Sequence, residues 1–212
     1  PAKVTNQHAA PRYRRGMAHG RHADPDSTLG TDPRSDPRMV EVLARFGLDG
    51  RLPPSGLTVD SPLEQRHAFA AMSEEGMGAI FDSIANELAA PDGVTTTATT
   101  ITGIDGNDIT LYISRPDEMP GPMPAVLHLH GGAMAINGAA DVCYVRLREH
   151  LAATGLVVVG VEFRNSSAKL GPHPFPAGLN DCASAARWVS ENRDELDVSR
   201  IVASGESGGG NL

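Results

Sequence analysis

Apolar positions along the chain follow three regimes. Up to about residue 35 they are few and irregular, scattered among Pro, Arg, His, Asp and Gly, so 1–35 is expected to be a flexible arm. From 36 to 90 the period is helical. Asp36 can cap a helix with Pro37 at its first position. Met39, Val42, Leu43 and Phe46 then recur at i, i+3, i+4, i+7, and Gly47 or Gly50 ends the run. Ser61-Pro62-Leu63-Glu64 reads as a capping box. Phe69, Met72, Ile80, Phe81, Ile84 and Leu88 continue an apolar face, with a break between two helices expected near Gly76.

After Pro91 the period changes. Residues 94–101 and 109–114 are strand-like, and Asp105-Gly106 between them signals a β-hairpin. Helices and strands then alternate. Residues 125–130 and 156–163 are short, mostly apolar runs, the second as continuous as a strand buried on both faces. Residues 142–154 predict a helix with Tyr144, Leu147 and Leu151 on one face and Gly155 at its end. Leu179, Cys182, Ala183, Ala186 and Val189 predict another. A last strand begins at 200–203. A hairpin followed by β-α-β-α-β predicts an α/β fold with a mostly parallel sheet, with the helices of 36–90 outside it.

Composition narrows this picture. Aromatic residues are 4% against 40% hydrophobic, so the core must be aliphatic. A net charge of −8 argues against a nucleic-acid partner, because that affinity comes from neutralising phosphates. Lys3, Arg12, Arg14, Arg15 and Arg21 precede the first acid, Asp24, and suit either a solvated arm or a partner-binding one. Cys143 and Cys182 make neither a disulfide framework nor a zinc site, so a reducing cytoplasm is the default. No leader is expected, and no apolar run reaches the ~18 residues of a membrane span.

The candidate chemistry lies at two strand ends, where α/β sheets place their ligands. After the last strand stands Gly205-Glu206-Ser207-Gly208-Gly209-Gly210-Asn211-Leu212, which contains Gly-x-Ser-x-Gly. A serine on a very tight strand-to-helix turn points its oxygen outward, and glycines two positions away let the neighbouring backbone pass. Taken alone the motif is weak and could be a glycine-rich loop. A phosphate loop of the usual form is excluded, since no Gly-Lys-Ser/Thr follows. After strand 125–130 stands His130-Gly131-Gly132-Ala133. Acyl transfer needs convergent N–H donors for an oxyanion, and the amides of Gly131, Gly132 and Gly208 are the candidates.

The two clusters in this order resemble the hormone-sensitive-lipase-like family of α/β-hydrolases, with its His-Gly-Gly-Gly loop upstream of a Gly-x-Ser-x-Gly elbow. His173-Pro174-Phe175-Pro176 resembles that family's stretch between the two motifs, and Phe163-Arg164-Asn165 and the elbow itself are most similar to its brefeldin A esterase branch. Ala133 departs from the third glycine. The resemblance covers about 90–212 well. It implies an α/β-hydrolase core over 91–212, a helical cap over 36–90, and Ser207 as catalytic nucleophile of a carboxylesterase acting on small-to-medium acyl esters. It implies no cofactor or metal.

Such a serine needs a base held by a third group, and in this fold the order is Ser, then Asp or Glu, then His. All eight histidines precede Ser207. His128 and His130 are expected to hold the loop, His173 to pack in its turn, and His150 to be exposed. The Asp and His are therefore expected from beyond residue 212, so that this chain is the N-terminal part of the fold and the C-terminal part is its first partner. A homodimer is open. So are two other functions: a small-molecule receptor on the same fold, and an amidase or peptidase using the same elbow.

Overall fold

The chain divides into two compact units, Pro1–Gly56 and Leu57–Leu212, and the computed structural model describes residues 26–212. Most of the expected arm, with its five basic residues, lies outside the described residues. In the first unit, helix α1 spans Pro37–Ala44, and the Asp36 carboxylate accepts from the Arg38 amide as an N-cap should. The helix stops before Phe46, because Gly47 turns to φ +69° and the Leu48 amide closes on the Leu43 carbonyl.

In the second unit, helix α2 runs unbroken over Leu63–Asn86. A Cβ at Gly76 would meet nothing within 4 Å, and the glycine costs only about 1 kcal/mol relative to Ala, too little to split 24 residues. The expected capping box does not form. The Ser61 hydroxyl accepts instead from the Thr58 amide behind it, and Pro62 becomes the N-cap. No helix among the described residues is long and apolar enough to cross a membrane.

The sheet has five strands in the order β1-β2-β4-β3-β5: β1 Val94–Thr102, β2 Asp108–Pro116, β3 Met123–Leu129, β4 Val157–Glu162 and β5 Val198–Gly205. The hairpin β1–β2 is antiparallel and turns at Gly106 with φ +78°; β2 also pairs antiparallel with β4. β3 pairs parallel with both β4 and β5. The central position of β4 explains its continuous apolar run, for Val157, Val158, Val159 and Val161 are fully buried. Around them Ile109, Leu111, Leu127 and Phe163 make a largely aliphatic core. β5 is the outer strand on the parallel side, with Val202 56% exposed.

Helices α3 (Val142–Ala153) and α4 (Ala177–Glu191) follow β3 and β4 in the chain. Both contain a cysteine, as expected, and both cysteines are free. Their buried faces are rotated from the expected ones. In α3 the buried set is Tyr144, Arg148 and Ala152, because Arg148 lies over the Tyr112 ring, 5.5 Å from its centre. In α4 it is Asp181, Cys182, Ala185 and Val189, while Ala183 and Ala186 face out. Asp181 is inside because Arg164 meets it: Nε and Nη2 donate to its two oxygens at 2.9 and 2.8 Å. The same guanidinium donates to Asp105 at 2.6 Å, so one side chain ties the hairpin turn to α4.

Replacing Arg164 should therefore be costly. Asp181 is 1% exposed and would keep only the residue-164 amide and the Asn107 side chain as donors, a buried carboxylate without a counter-charge. Arg164→Ala is expected to lower the unfolding free energy by about 3–5 kcal/mol in urea denaturation, and Asp181→Asn by less.

Candidate active site

The site begins with strand register. β3 and β5 run parallel with Leu129 level with Gly205, so both release the chain at the same height. His130-Gly131-Gly132-Ala133 and Glu206-Ser207-Gly208 therefore leave the sheet side by side. Their approach is close: a Cβ added at Gly208 would stand 2.8 Å from the Ala133 nitrogen and 2.7 Å from that of Met134.

Ser207 is exposed, with φ +49°, a left-handed conformation that costs an ordinary residue about 1–2 kcal/mol. The turn that holds it there leaves no room for a side chain at Gly205, whose Cβ would lie 2.4 Å from the Gly209 carbonyl. A short 3-10 turn, Gly209–Asn211, follows directly. This is the tight, strained geometry that the Gly-x-Ser-x-Gly spacing predicts.

The facing loop is strained as well. Gly132 has φ +121°, and its Cβ would lie 2.1 Å from the Ile136 carbonyl oxygen. Ala133 and Met134 follow at φ +54° and +59°. The glycine expected at position 133 would suit that left-handed backbone better than Ala133 does. The Gly132 carbonyl accepts from the amides of Ala135 and Ile136 at 2.9 and 3.0 Å, which fixes the turn. Among the described residues, the amides of Gly131, Gly132, Ala133, Ser207 and Gly208 donate to no protein acceptor. Donors left free in this way can receive an anionic oxygen.

Gly131, Gly132 and Ser207 line one cavity of about 470 Å³. Its other walls are largely apolar: Met77 and Phe81 from α2, Ile136 from the loop, and Cys143, Tyr144 and Leu147 from α3. Leu147 and Tyr144, expected on one face of the helix, both line this cavity. Burial raises the Cys143 thiol to about 11, so it is protonated at neutral pH.

His130 holds the loop, as expected. It is 1% exposed, stacks on Phe163 at 4.1 Å, and its Nδ1–H donates to the Gly131 carbonyl at 2.7 Å. Burial lowers it to about 4, so it is neutral. His128 is lowered too, chiefly by burial, against the opposing pull of Glu206, whose carboxylate lies 3.0 Å from its Nε2. That contact ties β3 to the residue beside the serine. His173 is exposed rather than packed, since its turn projects outward with Phe175 at 82% exposure, and His150 is exposed as expected. Among the described histidines, none hydrogen-bonds Ser207.

Three site residues escaped the sequence reading. Glu206 lay inside the motif as its variable position. Tyr144 carried only a core signal, yet its hydroxyl accepts from the Asn137 amide side chain at 3.4 Å, and burial raises it to about 12. Asn137 is 5% exposed in a segment without periodicity, where no local signal marked it.

His130 makes a pH prediction. Its folded value of about 4 lies below the ordinary 6.5, so its contribution to stability is fully present above pH 6.5 and is lost as pH falls towards 4. The size is at most about 3 kcal/mol. His130→Gln should show a flatter loss of stability between pH 6.5 and 4 than the wild type, measured by denaturant unfolding across that range.

Comparisons with known proteins agree with this geometry. The BD-FAE family model matches residues 111–212. The chain is 39% identical over 114 residues to "Carboxylesterase NlhH" of Mycobacterium tuberculosis (strain CDC 1551 / Oshkosh), covering 52% of this chain and 34% of that protein. It is 35% identical over 100 residues to "Esterase LipI" of Mycobacterium tuberculosis (strain ATCC 25618 / H37Rv), covering 46% and 29%. Among solved structures, "brefeldin A esterase, a bacterial homologue of human hormone sensitive lipase" superposes with a TM-score of 0.86 at 43% identity, over 92% of this chain and 55% of that one. Esterase Est22 gives a TM-score of 0.75 at 33% identity, over 86% and 55%. The chain thus spans about a third of the length of these curated relatives and just over half of these solved chains. The fold, the paired glycine clusters and the relatives agree: the chain has an α/β-hydrolase fold and is similar to hormone-sensitive-lipase-like esterases.

Proposed function

We propose that the protein is a serine carboxylesterase acting on small-to-medium acyl esters. One observation carries this reading: Ser207 lines the same largely apolar cavity as Gly131 and Gly132 of the facing loop. The Ser207 oxygen attacks the ester carbonyl carbon. The carbonyl oxygen becomes an oxyanion, received by the amides of Gly131, Gly132 and Gly208, with Ala133 beside them. The serine proton passes to a histidine oriented by an Asp or Glu, and from it to the departing alcohol. Water then attacks the acyl-enzyme, releasing the acid and restoring Ser207.

The base is assigned to a His and Asp from beyond residue 212. The observations that support this are the commitments of the histidines near the serine. His130 is neutral and bonded to Gly131, and His128 faces Glu206. The α2 segment serves as the cap, with Met77 and Phe81 over the acyl group. The cavity volume of about 470 Å³ lies in the range of small-molecule sites and supports short and medium acyl chains. The reaction as written calls for no cofactor. The two free thiols fit a reducing, cytoplasmic setting.

A fluorophosphonate probe should label Ser207 in the full-length protein, and Ser207→Ala should abolish labelling and lower kcat by about 10⁴-fold or more. Labelling unchanged in Ser207→Ala would refute the reading. p-Nitrophenyl esters should be hydrolysed far faster than the matched anilides. Phe81→Trp should lower kcat/KM for hexanoyl esters about tenfold while sparing acetyl esters, as an obstructed acyl pocket requires.

A further inference from the structure

The loop that carries Gly131 and Gly132 cannot hold its shape by local preference. Gly132, Ala133, Met134 and Asn137 all have positive φ, and three of them carry side chains. Such a backbone persists only where its surroundings over-determine it. Most of its restraints come from the α/β core. The Ser166 amide and hydroxyl both donate to the Met134 carbonyl, at 2.8 and 3.1 Å. The Asn165 side chain donates to the Asn137 carbonyl at 2.8 Å. Glu162 accepts from the amides of Ala139 and Ala140 at 2.7 and 3.1 Å.

One restraint comes from elsewhere. Glu74, on α2, accepts from the Asn137 amide with one carboxylate oxygen at 2.6 Å. Its other oxygen accepts from the Lys169 amide at 3.1 Å, in the 3-10 turn Ala168–Leu170. A single carboxylate thus bridges two separate loops. Asn137 is well chosen as the target. It is the left-handed residue at φ +68° that ends the strained run, and its side chain lies against Gly132, where a Cβ would stand 3.2 Å from Nδ2. Glu74, Met77 and Phe81 are also spaced i, i+3, i+7, so one face of α2 both roofs the cavity and grips the loop.

We propose that Glu74 is a positioning residue for the oxyanion-binding loop, making the donor geometry at Gly131 and Gly132 depend on the seating of α2. This rests on the esterase reading above. Donor placement acts on the transition state more than on the bound ester. Loss of Glu74 therefore lowers kcat and leaves KM nearly unchanged.

The test compares Glu74→Gln and Glu74→Ala with the wild type in the full-length protein, using p-nitrophenyl butyrate. Rates are counted per site titrated with fluorophosphonate, so that misfolded molecules drop out. Glu74→Gln is nearly isosteric but keeps only one acceptor oxygen, and one of the two amides goes unpaired. The expected fall in kcat is about tenfold for Gln and up to about a hundredfold for Ala, as for other misplaced catalytic groups, with KM within about twofold. The inhibition constant of a trifluoromethyl ketone, which forms the tetrahedral oxyanion, should rise by the same factor that kcat/KM falls. Amide exchange at Asn137 and Lys169 should quicken in both variants, a readout independent of turnover. A kcat per site within about twofold of wild type in Glu74→Gln, with those amides still protected, would overturn the proposal even if the Ala variant fails to fold. Wild type that hydrolyses no ester would overturn the esterase reading instead, before any variant is compared.

Discussion

The parallel pairing of β3 with β5 is the constraint from which the site follows. With Leu129 level with Gly205, two segments far apart in sequence leave the sheet at one height and meet at its carboxyl edge. A slip of one residue would turn every side chain of the strand to the other face. It would also part Gly208 from the Ala133 and Met134 amides, which now lie so near that a Cβ at Gly208 would clash with them. The register is held by burial on both sides of β3. Leu127 and Leu129 point into the aliphatic core, and His128 reaches across to Glu206.

Around this pairing the protein concentrates backbone strain where small molecules can reach it. Ser207 sits at φ +49°, and four residues of the facing loop also have positive φ. The compensation is polar and ranges from buried to exposed. Asn165, Ser166 and Glu162 hold the loop from the core side, His130 holds it from beneath, and Glu74 holds it from the helix above. Backbone amides are thereby fixed in place before any ligand arrives, which is the condition under which donors stabilise a developing charge most effectively.

Charge is managed by the same economy of contacts. Burial keeps His130 beneath the loop and the Cys143 thiol in the cavity wall neutral. Away from the cavity, the Arg164 guanidinium joins Asp105 and Asp181 and so locks the hairpin to α4. The hairpin gives the sheet its antiparallel side, and β4 is shielded on both flanks as a result.

The sequence alone determined the order of elements and the identity of the two glycine clusters. Turn glycines, helix caps and apolar periods are local, so Asp36, Gly106 and the valines of β4 announced themselves. The Ser207 motif was equally legible, because a tight turn imposes glycine at fixed offsets. Which face of a helix is inward was not legible where a polar residue is buried. Arg148 and Asp181 are inside only because Tyr112 and Arg164 await them from distant strands and loops. The same holds for Glu74, Asn137 and Tyr144, whose roles are set by contacts between elements. Period and propensity are properties of neighbours along the chain. The meeting of Gly208 with the Ala133 amide is a property of strand register, which only the folded sheet decides.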